Sequence, residues 1–165
     1  MENSYALKIL IFEDITGESE LIQHEIRKAR VPVVFLTAFR KNDFQEKISS
    51  FHPDLVVCDD SNPELNGMRV ISTVRGNLLD AEFIILSIDY SYSKIVEYCV
   101  MGAHFITYDH ITFLPSIVKR LYQSHLATSE HVIQEDEAKC SFTGIDDNNP
   151  YSLLEFHLSR KRMNE

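Results

Sequence analysis

Over its first 110 residues the chain repeats one pattern. A short block of consecutive apolar residues is followed by a polar break, and then by a stretch in which apolar residues return every three or four positions. The blocks are LKILIF (7–12), VVFLT (33–37), LVVC (55–58), FIILS (83–87) and HFIT (104–107). Most are continuously apolar rather than alternating, which is the signature of parallel strands covered by helices on both faces. The intervening stretches predict helices over about 18–30, 42–51, 68–77 and 93–101, and a fifth from about 113. Leu21, Ile22, Ile26 and Ala29 share one side of the first, and Val70, Ile71 and Val74 share a face of the third. The fourth has Ser91 or Ser93 as N-cap and Gly102 as its stop. The fifth is the clearest, with Phe113, Leu114, Ile117, Val118 and Leu121 in register, Thr112 as N-cap and Pro115 tolerated in the first turn.

Five strand–helix units predict an α/β domain with a parallel sheet and right-handed crossovers. The doubly wound order that suits five units is the flavodoxin-like 2-1-3-4-5, in which ligands bind where the carboxyl ends of strands 1 and 3 meet. Strand 1 ends in Glu13 and Asp14, and strand 3 ends in Asp59 and Asp60. Two acidic pairs distant in sequence are thus expected in one crevice. A single Asp there would do no more than solvate a strand end or cap a helix. Clustered carboxylates raise one another's pKa unless a cation compensates, and Mg²⁺ is held by one or two carboxylates together with phosphate oxygens. The pattern predicts a divalent-metal site serving phosphoryl chemistry.

Composition narrows the setting. With 165 residues, 44% hydrophobic and 25% charged, the chain suits one main domain and a tail. A formal net charge of −9 argues against nucleic acid or an anionic membrane as partner, and the basic run RKR at 160–162 reads as a solvated helix end. No apolar stretch is long enough to span a bilayer, and the N-terminus carries no export signal. Three cysteines, Cys58, Cys99 and Cys140, stand far apart without a CxxC pair, so neither a disulfide framework nor a zinc site is expected and a reducing cytoplasm fits.

The ordered combination of ILIFEDI, PDLVVCDDSNPELNGM, FIILS and MGAHFITYD resembles the receiver domain of bacterial two-component response regulators over residues 7 to about 122. The resemblance implies a phosphoacceptor at Asp59, because Pro63 follows at +4 and Gly67 at +8. It implies Mg²⁺ held by Glu13, Asp14, Asp59 and the backbone carbonyl of Ser61, with Asp14 the more direct ligand of the first pair and Asp60 a solvated neighbour. Ser87 matches the hydroxyl that contacts the phosphoryl group, and Phe105 the switch aromatic. Where the family has a lysine after strand 5, this chain has Tyr108. A neutral phenol is a poor replacement for a cation aimed at phosphoryl charge.

Two readings follow. In the first, a stand-alone receiver spanning 5–129 takes a phosphoryl group from a histidine kinase or phosphotransfer protein. It signals to a protein target through the face of helix 4, strand 5 and helix 5, as a monomer or weak homodimer and not as an enzyme. In the second, a pseudo-receiver binds its partner without phosphate. Retained Glu13, Asp14, Asp59 and Ser87 favour the first, and the absent lysine favours the second. A dehalogenase-type phosphatase would need an Asp where Ser61 stands, and the acidic loop EDITGESE would repel a flavin phosphate. Residues 130–165 read as a polar tail, with YSLLEFHLSRKR as a possible short helix.

Overall fold

The computed structural model describes residues 5–77 and 79–130; the expected tail helix lies outside them. Strands β1 (Leu7–Phe12), β2 (Val33–Ala38), β3 (Leu55–Asp59), β4 (Glu82–Ser87) and β5 (His104–Thr107) alternate with helices α1 (Thr16–Arg27), α2 (Lys41–Phe51), α3 (Gly67–Gly76), α4 (Tyr92–Val100) and α5 (Leu114–Glu130). The five strands form one sheet in the order β2-β1-β3-β4-β5, and every pairing is parallel. This is the expected flavodoxin-like architecture.

Successive strand residues point to opposite faces, and the two sides of the sheet are packed by different helices. Leu10, Phe12, Val56, Cys58, Ile85 and Phe105 meet α2, α3 and α4 through residues such as Phe44, Ile48, Val70, Ile71 and Tyr98. Ile9, Ile11, Val57, Ile84, Leu86 and Ile106 meet α1 and α5 through Ile22, Ile26, Leu114, Val118 and Leu121. Because both faces are dry, the central strands read as unbroken apolar runs. The edge strand β2 is less covered, with Val34 exposed.

Several element ends differ from the sequence reading. Helix α1 starts two residues before the expected position, and Leu21 is exposed while Ile22 and Ile26 carry the buried stripe. Ser91 occupies the N-cap of α4, but its hydroxyl lies 2.9 Å from that of Ser93 and bonds no helix amide. Before α5 the chain makes a 3-10 turn over Tyr108–Phe113. Thr112 lies inside that turn rather than at a cap, and Phe113 is exposed, stacked on His110 at 6.1 Å. Pro115 falls in the first turn of α5, where its missing N–H removes no helical bond.

Helix α3 does have a side-chain cap: Asn66 Oδ1 accepts a hydrogen bond from the Arg69 N–H at 3.1 Å. Asn66→Ala is expected to lower stability by about 1 kcal/mol, read as a shifted urea midpoint with unchanged slope. An unchanged midpoint would show that the cap contributes nothing.

Candidate functional site

The carboxyl ends of β1 and β3 lie side by side, with Phe12 paired to Cys58. Glu13 follows β1 directly and extends the ladder, its N–H donating to Ala38 O at 3.1 Å. Its side chain is only 1% exposed, and Oε1 accepts from the Ile15 N–H at 3.2 Å. Asp59 ends β3 and is itself buried. Glu18 comes from the first turn of α1. Carboxylate oxygens of Glu13, Glu18 and Asp59 lie within 4.8 Å of one another. Alternation explains the grouping: Glu13 continues the face of Ile11, and Asp59 that of Val57, so both turn toward the α1 side.

Tyr108 reaches the same place from the end of β5. Its hydroxyl lies 3.3 Å from Glu13 Oε2 and 3.3 Å from Glu18 Oε2, positioned to donate its proton to either carboxylate. Burial, followed by the charges of Glu13 and Asp59, pushes this phenol well above its usual range. Glu13 is pushed from an ordinary 4.5 up to about 8, first by burial and then by its hydrogen bond to Asp14, with Asp59 and Glu18 adding repulsion. The site therefore holds more negative charge than its own donors offset. Three oxygen ligands from three segments, two of them buried, are the donor set that a hard divalent cation takes.

The other residues singled out in the sequence fall as follows. Asp14 is exposed and stands outside the three-carboxylate group, acting on Glu13 through the hydrogen bond just named. Ser61 donates from both its N–H and its hydroxyl to Asp59 Oδ1. Ser87 ends β4 one strand over, is 2% exposed, and accepts from the Asp89 N–H at 3.1 Å. Phe105 is buried and stacked on Tyr98, with ring centres 5.8 Å apart and planes at 19°.

Asp60 corrects the sequence reading. It is not solvated: it is buried, its Oδ2 lies 2.7 Å from Lys94 Nζ and its Oδ1 accepts from the Tyr98 hydroxyl. The hydrogen bonding to β4 continues one residue past the strand, the Asp60 N–H donating to Leu86 O at 2.8 Å. It therefore shares the face of Cys58, toward α4, while Asp59 faces the other way. Period-two counting from Cys58 would have found this. Glu18 had a weaker signal, one carboxylate among the four in EDITGESE. Only the turn of α1 brings it back over the strand ends.

No family model matches the chain. Among solved structures, the receiver domain of the Francisella response regulator 1452 superposes with a TM-score of 0.62 at 22% identity, covering 72% of this chain and 98% of that one. A response regulator receiver domain protein from Clostridium thermocellum gives 0.63 at 17% identity, over 74% and 98%. The response regulator domain of Thermotoga maritima CheB gives 0.58 at 20% identity, over 72% and 96%. At these identities the likeness is one of fold: the chain has the receiver-domain fold.

Proposed function

We propose that a receiver fold with this acidic crevice serves two-component signalling: Asp59 accepts a phosphoryl group, and the modified domain acts by binding a protein. The observation that carries the reading is the convergence of Glu13, Glu18 and Asp59 within 4.8 Å at the carboxyl edge of the sheet. In the reaction, a carboxylate oxygen of Asp59 attacks the phosphorus of a phosphohistidine on a kinase or phosphotransfer protein. A P–O bond forms, the P–N bond breaks, and the imidazole leaves with the electron pair. Glu13, Glu18 and Asp59 would hold Mg²⁺, with Asp14 and the Ser61 carbonyl as further candidates. Bound there, the ion would offset the carboxylate charge and that of the incoming phosphoryl oxygens. The Ser61 N–H and hydroxyl orient Asp59, and Ser87 is the hydroxyl available to a phosphoryl oxygen from β4.

The receiver spans 5–129 in this reading, and its binding surface is α4 with β5 and α5. Tyr92, Val96 and Val100 recur every four residues on α4 and are exposed. Free thiols at Cys58 and Cys99 agree with a reducing compartment such as the cytoplasm. Among the described residues no helix is long and apolar enough to cross a membrane. One observation favours a phosphate-independent binding module instead. Tyr108, in place of the family's lysine, sits between Glu13 and Glu18 and offers no positive charge to a phosphoryl group.

Intact mass after incubation with acetyl phosphate separates the two readings. A single phosphoryl adduct that requires Mg²⁺ is expected. No adduct, with Mg²⁺ binding shown by calorimetry on the same sample, would overturn the phosphoacceptor reading in favour of the binding module.

A further inference from the structure

A second polar group is buried at the end of β3, on the side of the sheet away from the carboxylate crevice. Asp60 is joined to α4 twice, by the ion pair with Lys94 at 2.7 Å and by the hydrogen bond from the Tyr98 hydroxyl. The side chain of Lys94 is 42% exposed, but that of Asp60 only 5%, so the carboxylate depends on these two donors for what water would otherwise supply. Tyr98 is itself buried, and its ring does two further things. It stacks on Phe105, and it lies against Gly67 so closely that a Cβ there would stand 2.8 Å from the hydroxyl oxygen and 3.0 Å from two ring carbons. Gly67, which opens α3, is thus required bare by a side chain of α4.

We infer that Asp60, Lys94 and Tyr98 form a latch that fixes α4 against the end of β3 and keeps Phe105 turned inward. The inner side of α4, Ile95 and Tyr98, is anchored by this group, while its outer side presents Tyr92, Val96 and Val100 to solvent. The latch therefore sets where that apolar stripe sits. Phe105 cannot turn outward while the Tyr98 ring covers it, and the ring cannot swing away while its hydroxyl is held by Asp60. Asp60 is the covalent neighbour of Asp59, so the segment that carries the crevice carboxylate is tied to α4 through Asp60. This inference goes beyond the proposed phosphoacceptor role and does not depend on it.

The test is hydrogen exchange of the full chain without metal or phosphodonor, read peptide by peptide by mass spectrometry. Tyr98→Phe keeps the ring and removes the hydroxyl; Asp60→Ala removes the acceptor. Each is expected to speed exchange of α4 amides about tenfold, with β1 and β3 unchanged. The double variant should not exceed Asp60→Ala alone, because both changes remove the same hydrogen bond. Gly67→Ala, which displaces the ring without touching Asp60, should loosen α4 as well. Unchanged α4 exchange in Tyr98→Phe, or acceleration spread evenly over all strands, would overturn the latch. A double variant showing the full sum of the single effects would do so too.

Discussion

Asp59→Asn is expected to abolish the phosphoryl adduct, while Asp60→Asn, one residue along, retains it. The two carboxylates are adjacent in sequence and opposite in structure. Asp59 faces the crevice with Glu13 and Glu18, and the Ser61 N–H and hydroxyl both donate to its Oδ1. Asp60 has Oδ1 under the Tyr98 hydroxyl and Oδ2 under the Lys94 ammonium, on the other face. A nucleophile needs a free lone pair aligned with the incoming phosphorus. Asp60 has both oxygens engaged, and among the described residues it belongs to no carboxylate cluster. An amide at 59 keeps the shape and removes the nucleophile, so intact mass should show no addition at all. An adduct that survives Asp59→Asn and disappears in Asp60→Asn would reverse the assignment.

In the metal-free protein, stability is expected to fall by roughly 4 kcal/mol as pH rises from 4.5 to 8. The folded state holds a proton on Glu13 up to about pH 8, whereas an ordinary glutamate releases it near 4.5. Between those values the folded chain binds more protons than the unfolded one, so stability declines as pH rises. The contribution is complete below pH 4.5 and lost through pH 8. Glu13→Gln removes the titrating group and should flatten this part of the profile. Saturating Mg²⁺ should flatten it too, by favouring the charged carboxylate. Tyr108→Lys tests the same charge balance from the other side. A lysine is about as long as a tyrosine, so its ammonium would stand where the phenol hydroxyl now meets Glu13 and Glu18. It would favour ionised Glu13 and shrink the pH-dependent loss. Urea midpoints from pH 4.5 to 8.5 decide this; a Glu13→Gln profile parallel to the parent's would show that another group carries the dependence.

The strands were legible because two-sided burial leaves continuous apolar blocks: β1 and β5 occupy the expected positions, and β2, β3 and β4 are each one residue longer. Helix ends were harder. Thr112 looks like a cap, but the chain spends Tyr108–Phe113 in a tighter turn before Leu114 opens α5, and no local preference encodes that detour. At the crevice, Glu13 and Asp59 were visible as acids ending apolar runs at the switch point. Glu18 was not, since its place depends on the angle at which α1 leaves β1. Lys94 and Tyr98 lie 34 and 38 residues from the carboxylate they hold, beyond the reach of local patterning.

By itself the sequence determined the number and order of the strands and α-helices, and through them the sheet order and the edge at which the acids gather. Those follow from periodicity and from the handedness of parallel connections, which are properties of short segments. The tertiary structure decided which carboxylate faces which partner. It placed Asp59 with Glu13, Glu18 and Tyr108 on one side, and Asp60 with Lys94 and Tyr98 on the other. That division rests on strand alternation combined with packing from helices far along the chain. Electrostatic energies at such distances change with every ångström and with every layer of excluded water, so they are set only once the fold has closed.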